Sequence, residues 1–239
     1  TWDKALLKRI ATAISDEGRA KYHAALKRNG GTGIYQGLNF WSPNINLDRD
    51  SRWGRGHETY GEDPYLTGEM GVAFIQGLQG DDPKYLKSAA CAKHYAVHSG
   101  PESERHTFDV HPTKRDLYDT YLPAFKKAVQ VGKVEAVMGA YNAVYGVPAN
   151  ASSFLLNQTL REEWGFKGHV VSDCGAITDI YRNHKYVNDA AEAAAVAIKA
   201  GCDNSCDHVY YDFIGEAIER GLLTEAEVDV ALARTLGTR

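Results

Sequence analysis

Hydrophobic residues alternate along the chain between two spacings. Leu6, Leu7, Ile10 and Ile14 recur at the three- and four-residue interval of a helix that is apolar on one face. Short runs of apolar and small residues separate such segments. This pattern predicts strands within residues 37–47, 86–98, 134–142 and 168–174. It predicts helices within residues 1–26, 67–79, 114–132, 152–166, 188–201, 209–220 and 224–235.

Strand, loop and helix follow one another repeatedly, which is typical of a parallel sheet with helical crossovers. We therefore predict an α/β fold. Pro123 should kink or break the helix over 114–132, because proline cannot donate a backbone hydrogen bond. Thr224 and Glu227 fit a capping box at the start of the last helix. No linker or low-complexity segment divides residues 1–239, so one compact region is the simplest interpretation.

Polar and charged residues cluster where the predicted strands end. They occupy residues 49–64, 93–106, 141–142 and 172–174. Ala176, Ile177, Ile180 and Tyr181 indicate a further helical face directly after the predicted strand 168–174. Helix capping by itself would account for Asp173, which stands between the two. In a (β/α) barrel, however, the carboxyl ends of all strands meet at one pocket. Four polar strand ends in series therefore favour a functional role for Asp173.

Asp173 is a candidate nucleophile or base. Lys93, Arg55 and His94 supply hydrogen-bond donors, and cations beside a carboxylate favour its ionised form. The same donors suit sugar hydroxyl groups, and aromatic faces suit the apolar faces of sugar rings. The aromatic residues near these stretches are Trp41, Trp53, Tyr60, Tyr95 and Tyr141. Any one of them taken alone is more simply explained by core packing.

Metal chemistry is an alternative, because His94, His98, His106 and His111 lie close together in the sequence. A spacing of four residues places two ligands on one face of a helix, but these histidines fall across a strand end and a Gly-Pro loop. The helical geometry is therefore not implied, and we predict no metal and no other cofactor. The GxSxG motif of serine hydrolases is missing as well.

Composition argues against several kinds of partner. Of the 239 residues, 44% are hydrophobic, which suits a packed core, and the net charge of −4 disfavours nucleic acid. No apolar run approaches the roughly 20 residues of a membrane span, so no membrane partner is predicted. Four cysteines form no CxxC pair and are predicted to be free thiols in the core. They are Cys91, Cys174, Cys202 and Cys206.

Four blocks of sequence resemble one known family. The blocks "RWGRGHETYGEDPYL", "AKHYAVHSGP", "VMGAYN" and "LREEWGFKGHVVSDCGA" occur in this order over nearly the whole chain. Together they are similar to the N-terminal catalytic domain of family 3 glycoside hydrolases, which include β-glucosidases and β-xylosidases. The resemblance implies a (β/α)8 TIM-type barrel that is incomplete at its N-terminal side. Residues 1–239 would form a partial catalytic domain, with no second domain present.

The resemblance also implies a reaction and a site. The family hydrolyses terminal non-reducing β-D-glycosidic bonds by a retaining double displacement, so the expected substrate is a β-linked oligosaccharide or glycoside. By position, Asp173 is the implied nucleophile. The residues implied to hold or surround the terminal sugar are Arg55, Lys93, His94, Met138 and Tyr141.

The chain also departs from the family pattern. Cys174 follows the nucleophile where many β-glucosidases have tryptophan, which leaves the choice between β-glucosides and β-xylosides open. No general acid/base is recognisable by motif. The family usually takes it from the second domain, and Glu102 and Glu104 are the only nearby substitutes. We therefore expect residues 1–239 alone to show little activity, and to aggregate or dimerise across unpaired strand edges.

Two further interpretations stay open on the sequence. A barrel that has lost catalysis would be a carbohydrate-binding or scaffold module, which binds sugar without covalent labelling. A metal-dependent barrel hydrolase would retain metal on purification. The sequence does not fix the compartment, although a periplasmic or extracellular location is favoured.

Overall fold

Strands and helices alternate along the chain in the computed structural model, which describes residues 2–238. The strands are β1 (Asn39–Phe40), β2 (Ala89–Tyr95), β3 (Asp109–Val110), β4 (Ala136–Gly139), β5 (Ala143–Val144), β6 (Val147–Pro148), β7 (His169–Cys174) and β8 (Asn204–Cys206). The α-helices are α1 (Lys4–Asn29), α2 (Pro64–Gln79), α3 (Lys114–Asp116), α4 (Pro123–Gln130), α5 (Ala176–Arg182), α6 (Ala190–Ala200), α7 (Val209–Glu219) and α8 (Glu225–Gly237). Within the described part of the chain, every helix is too short or too polar to span a lipid bilayer.

Several helix boundaries follow from local chemistry. Pro123 stands at the first turn of α4, where its missing N–H costs no hydrogen bond, and the preceding turn Leu117–Tyr121 is π-helical. The predicted break at Pro123 is therefore confirmed. Thr224 and Glu227 form the predicted capping box at the start of α8. The predicted helix at 152–166 is a π-helix over Phe154–Glu163.

Five strands form one parallel sheet, in the order β1-β2-β4-β7-β8. This order follows the chain without reversal, so right-handed crossovers place the connecting helices on one face, as in a singly wound barrel. Among the described residues, no pairing joins β8 back to β1. The predicted α/β fold, incomplete as a barrel, is confirmed.

The two faces of this sheet carry different residues, because side chains alternate along a strand. On the helix-covered face, Ala90, Ala92, Val137 and Val170 belong to the main hydrophobic core. On the opposite face, the buried residues Cys91, Ala136, Met138 and Val171 form a separate small cluster. Two residues further along their strands, Lys93 follows Cys91 and Asp173 follows Val171. The inner face therefore changes from apolar to charged towards the carboxyl ends of the strands.

A second, smaller sheet was not predicted from the sequence. It pairs β3 with β5 in parallel and β5 with β6 antiparallel. Its strands are two residues long and lie in the connections that follow β2 and β4. Strands of this length carry no recognisable alternation, which is why the sequence does not indicate them. The short strand β8 was not predicted either, for the same reason.

The prediction that all four cysteines are free was wrong for two of them. Cys174 and Cys206 form a disulfide, whereas Cys91 and Cys202 are free and buried as predicted. The two bonded residues lie 32 positions apart in sequence but face each other as register partners on β7 and β8. Neighbouring parallel strands lie about 4.8 Å apart, which suits the Cα separation that a disulfide needs. Only the strand pairing brings these thiols together.

Acid should weaken the fold at His169, which is buried at the amino end of β7. Burial, aided by the nearby Arg161 charge, lowers the pKa of His169 from 6.5 to about 4. A histidine held neutral in the folded state contributes stability that is complete above pH 6.5 and lost as pH falls through 4. Because each pKa unit is worth about 1.4 kcal/mol, this contribution is about 3 kcal/mol.

The measurement is the free energy of urea unfolding at several pH values between 7.5 and 4. The His169→Gln variant should lose less stability across this window than the wild type. The matched control is His23→Gln, which makes the same substitution at an exposed histidine on α1. Parallel curves for wild type and His169→Gln would contradict the prediction.

Candidate active site

Asp173 lies at the carboxyl end of β7 on the inner face of the sheet, with 8% of its surface exposed. Its Oδ1 accepts a hydrogen bond of 2.8 Å from the backbone N–H of Cys174. Its buried Oδ2 has no hydrogen-bond partner in the part of the chain that the structure describes. Met138 on neighbouring β4 is fully buried in the apolar cluster below the carboxylate. One oxygen is therefore anchored, and the other is available to a reacting atom.

His94 lies beside this free oxygen, with its Nε2 atom 3.4 Å from Asp173 Oδ2. Asn46 donates through Nδ2 to the His94 carbonyl, so Asn46 Oδ1 must be the acceptor for His94 Nδ1 at 2.9 Å. We infer that the ring proton of His94 is on Nδ1. Its Nε2 then accepts the hydrogen bond from Arg55 Nη1, whose length is 2.9 Å.

His94 and Asp173 therefore do not form an ion pair, although they are close enough for one. Burial lowers the pKa of His94 well below 6.5, and the neighbouring His98 and Arg55 lower it further. A neutral ring whose Nε2 carries a lone pair cannot donate to Asp173. A contact of His94 with a sugar hydroxyl, as predicted, would require that hydroxyl to replace Arg55 as the partner of Nε2, because Nε2 has one lone pair and Nδ1 donates to Asn46.

Two cations lie near the carboxylate. Arg55 is held by Glu58 through bonds of 2.6 and 2.7 Å, and this pairing raises the pKa of Arg55. Lys93 is half-buried on β2, and burial lowers its pKa, while Arg55 lowers it further and Glu58 and Asp173 oppose the shift. The charges of Arg55 and Lys93 both favour the ionised form of Asp173.

Burial has the opposite effect and is the larger influence, so the pKa of the Asp173 carboxyl is raised above 3.8. This rise in the pKa of Asp173 is partly offset by the N–H of Cys174, the Tyr141 hydroxyl and the two cations, which each lower it. A partly desolvated carboxylate that is kept ionised by nearby cations is a suitable nucleophile.

Tyr141 follows β4 and is buried against the same carboxylate. Its hydroxyl donates to the Cys174 carbonyl at 2.8 Å and also lies within reach of Asp173. Because a phenol has one proton, Asp173 is the alternative acceptor. Burial raises the pKa of Tyr141 strongly, so the hydroxyl stays protonated. The ring of His106 packs against the Tyr141 ring, with 4.6 Å between centroids.

The four histidines that are clustered in sequence have different surroundings in the structure. His94 and His98 are buried with ring centroids 4.8 Å apart. His106 Nδ1 pairs with Asp179 Oδ2 at 2.7 Å, and His111 Nε2 pairs with Asp109 Oδ2 at 2.8 Å. Among residues 2–238, no group of three or more His, Cys, Asp or Glu side chains is placed to hold a metal ion.

Family membership follows from a comparison with known sequences. The pattern of the glycosyl hydrolase family 3 N-terminal domain matches residues 32–237. The chain belongs to glycosyl hydrolase family 3. The four quoted blocks therefore resembled the right family, and the partial α/β barrel agrees with its N-terminal domain.

Relatives within family 3 carry xylosidase names. The chain is 49% identical over 238 residues to a xylan 1,4-β-xylosidase of Xylanibacter ruminicola, covering 98% of this chain and 28% of the relative. It is 41% identical over 240 residues to β-D-xylosidase 1 of Arabidopsis thaliana, covering 99% of this chain and 30% of the relative. The chain thus spans about 30% of the length of the curated relatives it matches.

Solved family 3 structures share the fold. A family 3 exo-β-xylosidase in complex with a xylobiose aziridine activity-based probe superposes with a TM-score of 0.88 at 36% identity, covering 97% of this chain and 30% of that one. A β-glucosidase from Listeria innocua superposes with a TM-score of 0.84 at 33% identity, covering 99% and 31%. The incomplete (β/α) barrel implied by the sequence blocks is thus the fold of this region.

Two supporting residues of this family 3 site were not singled out on the sequence. Asn46, in the segment "SPNINL", fixes the ring proton of His94, and Glu58, in "RGHETY", holds Arg55. Both lie between β1 and α2. Their positions after a strand were a usable signal. The partner of Glu58 is only three residues away in sequence, whereas Asn46 meets His94 across 48 residues.

Replacing Lys93 should weaken catalysis by the full-length protein. Charge-assisted hydrogen bonds are worth about 1.5–3 kcal/mol, so Lys93→Ala should lower kcat/KM by roughly ten- to a hundredfold. Loss of this cation should also raise the pKa of Asp173 and shift the acidic limb of kcat/KM to higher pH.

The measurement is kcat/KM against pH for an aryl β-glycoside. Lys126→Ala is the control, because Lys126 is an exposed lysine on α4. A loss below about twofold, or an acidic limb that moves to lower pH, would contradict the predicted role of Lys93.

Proposed function

We propose that this chain forms part of the catalytic domain of a retaining β-glycosidase, with Asp173 as its nucleophile. The observation that carries the proposal is the buried Asp173 carboxylate at a strand end, with one oxygen anchored and the other unpartnered. Arg55, Lys93 and Tyr141 surround it with groups that donate to hydroxyls or anions. Membership of glycosyl hydrolase family 3 supports the same reaction.

In the first step, the ionised Asp173 carboxylate attacks the anomeric carbon of the terminal sugar. A carbon–oxygen bond to Asp173 forms as the bond to the glycosidic oxygen breaks, and that oxygen takes a proton from an acid. In the second step, water gives a proton to the same group, now acting as a base, and attacks the anomeric carbon. This releases the sugar with its original configuration and restores Asp173.

We propose β-D-xylosides as the substrate class, with the bond cleaved at the non-reducing end. Support comes from the curated relatives, which include xylosidases from a bacterium, a fungus and a plant. A second candidate is a β-glucoside, which the similarity to the β-glucosidase of Listeria innocua supports. Hydrolysis rates of aryl β-xyloside and aryl β-glucoside by the full-length protein would separate the two.

We place the acid/base residue in another part of the full-length protein, in a second domain. Three of the carboxylates that lie near the site are already paired. Glu58 holds Arg55, and Asp179 binds His106 and Asn183. Glu102, a predicted substitute, accepts from the Gly54 N–H and pairs with Arg105.

Residues 1–239 alone should therefore show little hydrolysis of aryl β-xylosides or β-glucosides. Retaining chemistry needs a second carboxyl group about 5–5.5 Å from the nucleophile to protonate the leaving oxygen. The assay compares this segment with the full-length protein, beside size-exclusion chromatography to record its assembly state. A monomeric segment with turnover near that of the full-length protein would contradict the proposal for the acid/base residue.

The nucleophile is tested by trapping the covalent intermediate. A 2-deoxy-2-fluoro-β-xyloside with a good leaving group should inactivate the full-length protein, and peptide mapping should find the sugar on Asp173. A label on Glu58 or Asp109 instead would overturn the assignment. Sugar binding without any label would favour the non-catalytic binding module.

We also propose a periplasmic or extracellular location. Disulfides persist in oxidising compartments and are rare in the cytosol, so the Cys174–Cys206 bond supports this location. Fractionation of the native host, followed by detection of the protein with an antibody, tests it. Recovery of the protein in the cytosol with both thiols reduced would contradict the proposal.

A further inference from the structure

Three buried nitrogen atoms beside the candidate active site have no hydrogen-bond partner in the described part of the chain. They are Trp53 Nε1, His98 Nε2 and Arg105 Nε. Trp53 and His98 are 5% and 4% exposed, and all three residues line the same small cavity. Leaving a buried polar atom without a hydrogen bond is destabilising, so three such atoms around one space indicate a missing common partner.

The hydrogen-bond pattern decides which of these atoms donate. Asn142 gives its Nδ2 protons to the carbonyls of Ala96 and Ala143, so its Oδ1 is an acceptor. His98 Nδ1, at 3.4 Å from this oxygen, must therefore carry the ring proton. Burial lowers the pKa of His98 to about 3, which keeps the ring neutral. Its Nε2 consequently presents a lone pair to the cavity.

The cavity is thus lined by two donors and one acceptor. Trp53 Nε1 and Arg105 Nε carry protons that they cannot lose, whereas His98 Nε2 can only accept. An anion would meet the lone pair of His98, and a cation would meet two N–H groups. A neutral hydroxyl-type oxygen suits all three, because it accepts two hydrogen bonds and donates one.

The cavity is so small that the hydroxyl-type oxygen must belong to a water molecule. Its volume of about 10 Å³ for a water-sized sphere is close to the space that one water requires. We propose that one resident water molecule accepts from Trp53 Nε1 and Arg105 Nε and donates to His98 Nε2. This site goes beyond the proposed function, because it needs neither substrate nor turnover.

The water would connect two segments beside the catalytic pocket, one after β1 and one after β2. Trp53 lies two residues before Arg55, and its ring packs edge-on against His98 at 5.4 Å. His98 lies in the stretch after β2, and Arg105 follows the 3₁₀ turn Glu102–Glu104. The segment that carries Arg55 is thereby tied to the one that follows His94.

A crystal structure of the full-length protein without sugar, at about 1.5 Å resolution, tests the proposal. We expect one density peak within 2.7–3.2 Å of all three nitrogen atoms. A bromide soak should give no anomalous peak there, because the His98 lone pair disfavours an anion. Absence of the peak, a bromide signal, a side chain from elsewhere in the protein, or density that appears only with bound xylobiose would each overturn it.

A pair of variants links the density to the donor. Trp53→Phe removes the N–H but keeps an aromatic ring against His98, so the peak should be lost or move away from position 53. The matched control is Trp164→Phe, because Trp164 is buried to the same extent at 6% exposure and packs on Tyr95 instead. An unchanged peak in Trp53→Phe would contradict the assigned donor. The wild-type structure decides the question if a variant fails to fold.

Discussion

Replacing Asp173 by alanine should abolish nearly all glycosidase activity of the full-length protein. The substitution removes the atom that forms the covalent bond to the sugar, and no described carboxylate is positioned by the structure to replace it. Loss of a nucleophile typically lowers kcat by roughly 10⁴-fold or more. The measurement is kcat for an aryl β-xyloside, together with the thermal stability of the variant to show that it is folded.

Asp109→Ala is the control for this experiment. Asp109 is an exposed aspartate in β3 that pairs with His111, and its removal should change kcat less than twofold. Retention of more than about one-hundredth of wild-type kcat by Asp173→Ala would contradict the role of Asp173 as nucleophile. In that case the binding-module interpretation fails too, because the protein would remain an enzyme.

Replacing Asp203 by alanine should produce the largest loss of stability among the substitutions considered. The Asp203 side chain is 1% exposed and accepts from Arg161 at 2.5 Å, from Arg234 at 3.0 Å and from the Val170 N–H at 2.8 Å. It ties the π-helix Phe154–Glu163 and helix α8 to β7. Removing one partner of a buried ion pair costs about 3–5 kcal/mol, because the remaining charge stays buried and uncompensated.

The free energy of urea unfolding measures this effect. Asp81→Ala is the control, because Asp81 pairs with Lys8 at the surface with its own side chain 82% exposed. Exposed pairs contribute about 0–1 kcal/mol, so the control should be nearly neutral. Equal losses for the two variants would contradict the structural role of Asp203.

Much of the fold could be predicted because its information is local. The spacing of Leu6, Leu7, Ile10 and Ile14 requires only that one helix face be apolar, and α1 spans Lys4–Asn29 as that spacing indicates. The capping box of Thr224 and Glu227 lies within four residues and was equally readable. The strands β3, β5, β6 and β8 are two or three residues long, so they show no period and were missed.

Placement of the site was predictable for a different reason. In a parallel barrel, every strand delivers its carboxyl end to the same side, so polar residues at strand ends converge whatever their separation in sequence. Asp173, Lys93 and Tyr141 are brought together in this way. Their catalytic and sugar-binding roles stay predictions that the labelling and substitution experiments test.

The sequence by itself determined the alternating α/β pattern, the family and the set of polar strand ends, because each depends on spacing or on residue order. Only the tertiary structure decided which atoms meet. The Cys174–Cys206 bond depends on the pairing of β7 with β8, and the ring protons of His94 and His98 are placed by Asn46 and Asn142. These Asn–His pairs are 48 and 44 residues apart in sequence. Hydrogen-bond direction depends on neighbours in space, and a linear pattern of residue types does not contain it.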